Sequence, residues 1–290
     1  MEDFVNMDSI DLHVHSTYSD GTLTPKELVC KAHEINLAAM ALTDHDTING
    51  IPEAIEAGKK YNVEVIPGIE LSTFYNDKEI HIIGLYIQYM NHEFQKELES
   101  LRNVRRNRNI QMCRKFTELG MPLDYDEMEK KYNDAVITRA HFADFLLHKG
   151  YINSRNEAFD RYIGPNGPCY VPRRKITPAE AITIIKAAGG VPILAHPVLY
   201  HFGKEQMSKL MDYLCNSGIT GLEAIYSTYT MGEELEMKNI ASERGLIISG
   251  GSDYHGANKP HIELGIGKGH LFVPYSLLEI IKKYRSQPIS

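Results

Sequence analysis

The amino-acid sequence predicts an α/β protein, a closed or nearly closed barrel interrupted by a helical insertion. Three observations carry that expectation. Short apolar strands alternate with amphipathic helices over residues 10–86 and again over 177–284, the pattern of a sheet with crossover helices. About seven strands can be traced, and most end at or near polar clusters, as at the C-terminal face of an α/β barrel. Residues 93–174 read as helices only, which divides the chain into a first barrel part (1–92), an inserted helical cap domain (93–174) and a second barrel part (175–290).

The first strand, Ile10-Asp11-Leu12-His13-Val14-His15, alternates so that His13 and His15 fall on one side of the pleat. Asp20 follows in a polar loop ending in Gly21, where a carboxylate can fold back over the strand end. Thr24-Pro25-Lys26-Glu27 opens a helix running to about residue 36, with a threonine cap, proline at the first helical position and glutamate three residues after the cap. A buried strand over 39–43 ends in Asp44-His45-Asp46-Thr47, and a helix over 51–61 follows. The strand over 63–69 ends at Glu70, and a fourth over 80–86 carries His81 near its start; the alternation so far implies a parallel sheet. Inside the insertion lie a basic segment over 102–115 and a helix over 139–149. Thr177-Pro178-Ala179-Glu180 repeats the capped-helix signature. Strands over 191–195, 221–225 and 246–249 then alternate with helices over 204–217 and 233–244, and a helix over 275–284 closes the pattern. The first of these strands ends at His196-Pro197, the second carries Glu223 and Tyr226 near its end, and the third ends in Gly250-Gly251-Ser252-Asp253-Tyr254-His255.

Composition excludes several classes. The 290 residues are 43% hydrophobic and 24% charged, and no apolar run approaches membrane-spanning length. A formal net charge of −7 means that the surface as a whole is no nucleic-acid footprint, so an anionic substrate must be met locally. The four cysteines, Cys30, Cys113, Cys169 and Cys215, form no Cys-x-x-Cys pair, which argues against a disulfide framework and a thiolate zinc site. The first residues, Met-Glu-Asp-Phe-Val-Asn, have neither a basic nor an apolar leader region, and the expected location is the cytoplasm.

Gathered at or near strand ends are His13, His15, Asp20, Asp44, His45, Glu70, His81, His196, Asp253 and His255. Singly they are unremarkable: His81 reads as a packed core histidine, Asp253 as a helix cap, Asp44 as a residue bonded to its own loop. Together they read as a divalent-metal centre. A mixture of imidazole and carboxylate suits manganese, iron or zinc better than magnesium.

The ordered motifs Asp-Leu-His-Val-His-Ser with Ser-Asp-Gly, Thr-Asp-His-Asp-Thr, Gly-Ile-Glu, Ile-His-Ile-Ile-Gly, Ala-His-Pro and Gly-Gly-Ser-Asp-Tyr-His-Gly resemble those of the PHP (polymerase and histidinol phosphatase) metallophosphoesterases. Thr138-Arg139-Ala140-His141 resembles the branch of small stand-alone enzymes that includes nucleoside 3′,5′-bisphosphate phosphatases and enzymes trimming RNA 5′ ends. The resemblance implies a distorted (β/α)7 barrel with an inserted small helical domain, and up to three divalent metals. One would take His13, His15, Glu70 and Asp253; a second would share Glu70 and add His81 and His196; a third would take Asp20, His45 and His255. Asp20, His45, Glu70, His196, Asp253 and His255 would be the catalytic set, with Asp44 orienting a ligand or its loop. Metal-activated hydroxide would attack phosphorus. The expected substrate is a small phosphorylated nucleotide or a short 5′-phosphorylated oligonucleotide, with no membrane or protein partner.

For substrate contacts, Arg139 is the candidate phosphate clamp, because a guanidinium fork binds two phosphate oxygens at once. His141, Ser72 and Arg173 or Arg174 are further candidates. Lys259 reads as a solvated lysine or an anion contact. The basic run 102–115 reads as a solvated helix face more readily than as a nucleic-acid contact. Tyr170, Tyr226 and Tyr229 read as core residues more readily than as base-stacking platforms. Two rival functions share these residues: hydrolysis of a cyclic or terminal sugar phosphate, and a non-catalytic metal- or nucleotide-binding module.

Overall fold

The computed structural model describes residues 8–76, 78–132, 135–172 and 176–285. Seven strands form one sheet in sequence order: β1 (Ile10–Val14), β2 (Ala39–Leu42), β3 (Glu64–Tyr75), β4 (Lys78–Leu85), β5 (Val191–Leu194), β6 (Gly221–Tyr226) and β7 (Ile247–Gly251). The ends of the sheet meet through a parallel bridge between Val14 and Tyr254, where His15 N–H donates to Tyr254 O at 3.0 Å and Asp253 N–H to His13 O at 2.9 Å. The architecture is a nearly closed (β/α)7 barrel.

One strand departs from the expected parallel arrangement. β4 runs antiparallel to both β3 and β5. Tyr75 pairs with Lys78, and a connection that short makes a hairpin, whereas a parallel return needs a dozen residues or more. β3 also continues well past Glu70, pairing in parallel with β2 through its first residues and antiparallel with β4 beyond them. Glu70 therefore sits inside a strand. Because β4 is reversed, its first half lies at the rim where the parallel strands end, and His81 arrives beside Glu70 for that reason.

The helices α1 (Pro25–Glu34), α2 (Ile51–Tyr61), α7 (Pro178–Ala187), α8 (Lys204–Asn216) and α9 (Met231–Glu243) share an apolar cluster with the sheet. Thr24, Thr177 and Thr230 each close a capping box with the glutamate three residues on, satisfying backbone N–H groups that a helix start leaves unpaired. Another cluster joins Ile10, Leu12, Ile66, Ile83 and Ile193 to Leu278 and Ile281 of α10 (Tyr275–Lys282). Among the described residues no strand occurs between β4 and β5. That stretch holds α3 (His92–Glu118), α4 (Tyr125–Lys131), α5 (Arg139–His148) and α6 (Arg155–Ala158).

These helices build an apolar cluster of their own around Phe116, Phe142 and Phe145. α3 belongs to both bodies. Phe94 and Leu98 at its start pack with the barrel, whereas Met112 and Phe116, about four turns or more further on, pack with the other helices. Between them the buried stripe is polar, with Arg105, Arg108 and Asn109.

Candidate metal centre

His13 and His15 project from β1 to the same point, with their Nε2 atoms 3.1 Å apart. Glu70 of β3, two strands away from β1 in the sheet, meets that point. Its Oε2 lies 3.4 Å from His13 Nε2, 3.3 Å from His15 Nε2 and 3.0 Å from His45 Nδ1. Its Oε1 lies 2.8 Å from His81 Nδ1 and 3.0 Å from His196 Nε2. Asp253, just past β7 and held at φ 56°, brings Oδ1 within 3.6 Å of His13 Nε2 and 3.4 Å of His15 Nε2. Asp20 Oδ1 is 3.1 Å from His255 Nε2 and 3.9 Å from His45 Nε2.

The geometry thus brings all nine expected ligands together in overlapping groups: His15, Asp20, His45 and His255; His13, Glu70 and His196; His13, His15 and Asp253; and His45, Glu70 and His81. The donors fit divalent cations. His13 Nδ1 is turned to Glu223 at 3.1 Å, which aims the Nε2 lone pair at a point ringed by the Glu70 and Asp253 oxygens. Asp20 Oδ1 is buried among three imidazoles, and none offers it an aligned hydrogen bond.

The carboxylates and imidazoles of the centre compensate one another electrostatically. Burial alone would raise the carboxylic acids, but the imidazoles of His45 and His255 hold Asp20 well below the usual carboxylate range, and those of His81, His45 and His13 do the same for Glu70. Against the opposing effect of burial, Glu70 lifts His81 to about 10. Burial and the Lys259 ammonium push His255 down to about 4. With His81 protonated and Asp20 and Glu70 ionised, the cluster balances its own charge, and a divalent cation held here would take the place of protons on the imidazoles.

Asp44 reaches the centre through its backbone, whose O accepts from Glu70 N–H at 3.2 Å. Its carboxylate accepts from Ser16 N–H at 2.8 Å, Ser16 Oγ at 2.6 Å and Ser19 Oγ at 2.5 Å, and Ser19 Oγ lies 3.4 Å from His15 Nδ1. It holds the loop that leads to Asp20. Lys259, read above as a solvated or anion-contacting lysine, instead bonds Asp253 Oδ2.

A cavity of about 350 Å³ opens over the centre, lined by Asp20, His45, His81 and His196 below and by the inserted helices above. Arg139 lies in its wall and pairs with Glu79, whose carboxylate is also 3.6 Å from His81 Nε2. Ser72 lines it too; its N–H donates to Asp46 and its hydroxyl accepts from Arg105. His141 does not line this cavity. It is buried at the start of α5, where its Nδ1 accepts from Thr138 N–H at 2.9 Å and closes the helix cap. Arg173 and Arg174 lie outside the described residues. Of the three tyrosines, Tyr226 and Tyr229 are buried, and Tyr170 reaches the cavity wall.

Sequence reasoning missed Arg105 and Arg108. The basic run is not simply a solvated face: both arginines are buried and line the cavity, Arg105 paired with Asp46. The signal was present in the helical stripe 94, 98, 105, 108, 112 and 116, which is apolar at both ends and cationic in the middle. Asp11 was missed as well. It is buried and gathers Ser252 N–H, Ser252 Oγ and Gly265 N–H, tying β1 to the loop after β7.

A barrel with a buried His/carboxylate centre under an arginine-lined cavity defines a metal-binding phosphoesterase. The PHP domain family model matches residues 11–163. A 5′-3′ exoribonuclease of Haemophilus influenzae is 36% identical over 245 residues, 84% of this chain and 89% of its own. A 3′,5′-nucleoside bisphosphate phosphatase of Chromobacterium violaceum is 31% identical over 260 residues, 89% of this chain and 91% of its own. A crystal structure assigned as a metal-dependent phosphoesterase from Bifidobacterium adolescentis superposes with a TM-score of 0.84 at 27% identity, covering 97% of this chain and 98% of that one. The chain belongs to the PHP domain family and is a hydrolase of phosphate esters. Among the described residues no helix is long and apolar enough to cross a membrane.

Proposed function

We propose that the chain hydrolyses a phosphate ester of a small nucleotide at a centre of three divalent cations, drawn from Mn2+, Fe2+ and Zn2+. The substrate class is a nucleoside 3′,5′-bisphosphate, a 5′-nucleotide or a short 5′-phosphorylated oligonucleotide. The observation that carries this reading is the cavity itself, which sets Arg105, Arg108 and Arg139 beside the aromatic side chains of Phe159 and Tyr170, directly over the ligand cluster. Guanidinium groups suit phosphoryl oxygens, and aromatic faces suit a base.

His13, His15, Glu70 and Asp253, Glu70 with His81 and His196, and Asp20 with His45 and His255 would hold the cations. Bound there, divalent metal supplies a nucleophilic water of lowered pKa and neutralises phosphate charge. Arg139 would leave Glu79 to grip the phosphoryl group, Ser72 would add a hydroxyl contact, and Arg105 and Arg108 would hold the anion from above. His141 would act through the α5 start, keeping Thr138 in place to donate to Asp20 Oδ2 at 3.1 Å. The inserted helices would serve as the cap that keeps bulk water from the reacting phosphate.

The test is phosphate release by manganese-loaded protein from adenosine 3′,5′-bisphosphate, 5′-AMP, a 5′-phosphorylated short RNA and a five-membered cyclic ribose phosphate. Preferred turnover of a nucleotide, abolished in Asp20→Ala and weakened mainly in KM in Arg139→Ala, supports the proposal. Turnover of the cyclic sugar phosphate alone replaces it with the sugar-phosphate reading. No release from any substrate by protein with metal bound favours a binding module.

A further inference from the structure

Strand β6 supplies no residue to the four His/carboxylate groups, yet two of its side chains end in the centre. Glu223 is buried, with Oε1 3.1 Å from His13 Nδ1 and Oε2 accepting from the backbone N–H of His196 at 2.8 Å. Three residues on, Tyr226 donates to Asp253 Oδ2 at 2.6 Å. In an unbroken strand, residues three apart point to opposite faces. Here the pairing of β6 with β7 shifts register between Glu223 and Ile225, and both side chains reach the ligands.

The two bonds of Glu223 constrain different things. A carboxylate facing His13 Nδ1 requires a proton on that nitrogen, which leaves Nε2 as the lone pair aimed between Glu70 and Asp253. The second bond falls on His196, whose backbone sits at φ 29° and ψ 53°, a region that residues with a Cβ seldom occupy. Its N–H, beyond the end of β5, is held by a side chain instead of a neighbouring strand. A single carboxylate therefore fixes the ring of one ligand and the backbone of another.

We propose that Glu223 is a positioning residue that sets the metal-binding tautomer of His13 and the backbone of His196 together, so that the cation affinity of the centre is controlled from β6. This rests on the metal-centre reading above. Carboxylate partners of ligating histidines typically change metal affinity by about 10–100-fold.

Glu223→Gln and Glu223→Asp separate this role from packing. Glutamine keeps the size, and its oxygen can still accept from His196 N–H, but its amide nitrogen then faces His13 Nδ1 and drives the proton to Nε2, removing the ligating lone pair. Aspartate is too short for ideal packing but remains purely an acceptor. Manganese affinity and stoichiometry are measured by chelator competition and elemental analysis, with the melting temperature of metal-free protein as the check on folding. The expected order of affinity is wild type, then Asp, then Gln, with Gln weaker than wild type by about 10–100-fold. The reverse order of the two variants is what packing alone predicts and overturns the proposal, as does wild-type affinity in Glu223→Gln. Absence of manganese binding by wild type overturns the metal-centre reading beneath it.

Discussion

Five imidazoles lie within 3.4 Å of the Glu70 carboxylate, which makes this residue the hardest in the centre to replace. Glu70→Gln keeps the shape but removes the charge that holds those rings together. Since residues that only support a ligand cost about 10–100-fold, losing this one is expected to lower phosphate release by about 100-fold or more. Steady-state release at saturating manganese measures it, and near-wild-type turnover would exclude Glu70 as a shared ligand. His141 gives a prediction of a different kind. Burial holds its imidazole down to about 4, against about 6.5 in an unfolded chain. The unfolded state binds the proton first, so the stability His141 contributes is complete above about pH 6.5 and is lost as pH falls toward 4. Glutamine can accept the same Thr138 N–H without titrating. In urea unfolding, His141→Gln is expected to gain on wild type by about 2 kcal/mol between pH 7.5 and 4.5; a constant difference would mean that His141 titrates normally. The nine residues that converge were readable in the sequence because imidazole and carboxylate recur at or near strand ends. Glu223 shared that placement near the end of its strand, but a lone glutamate in a strand says nothing of the ring it will face.

At the scale of elements, α3 is the member that joins the two bodies, and its polar middle is where they meet. Arg105 enters that junction buried, bonded to Asp46 and Ser72, while Asp46 Oδ1 also accepts from Ser72 N–H at 3.0 Å. Asp46 neighbours His45, so this pair fixes the helix against the loop that carries a candidate ligand. Removing one partner of a buried ion pair leaves the other charge desolvated, and Arg105→Met is expected to destabilise the protein by about 3 kcal/mol. In Asp46→Asn/Arg105→Met the charge is gone and the asparagine oxygen can still accept from Ser72, so most of that loss should return. Chemical denaturation of both variants measures it, and equal loss in the two would mean that the charge of Asp46 is not the cause. The same scale shows where sequence patterns mislead. Strand periodicity locates β3 and β4 but is blind to their direction; direction is set by the length of the connection, and the short turn between Tyr75 and Lys78 was the available clue. The basic run of α3 misled because charge is usually read as exposure, whereas helical spacing placed Arg105 and Arg108 on the buried stripe.

For the molecule as a whole, the barrel was legible because alternation of strands and helices and the placement of polar clusters are both properties of the chain read in order. How the ends of the sheet would meet was not, since closure depends on a contact between Val14 and Tyr254, far apart in sequence. That closure and the metal centre share residues: His13 O and Asp253 N–H form one of its hydrogen bonds, and both side chains face the cluster. Candidate ligands come from β1, β3 and β4 and from the loops after β1, β2, β5 and β7, so bound cations would cross-link nearly the entire barrel. The cluster around Phe116, Phe142 and Phe145 contains none of these ligands and is packed by its own apolar contacts. Removing metal should therefore act unevenly. A ligand at one hundred times its Kd stabilises the folded state by about 2.7 kcal/mol, which for a chain of this size is a shift of several degrees in Tm. Hydrogen exchange should locate the effect. With manganese, amides of β1, β3 and β7 are expected to gain protection relative to chelator-treated protein, while those of α5 and the second half of α3 stay nearly unchanged. Equal gains in both regions would show that the helices and the barrel open as one cooperative unit, with α3 carrying the coupling between them.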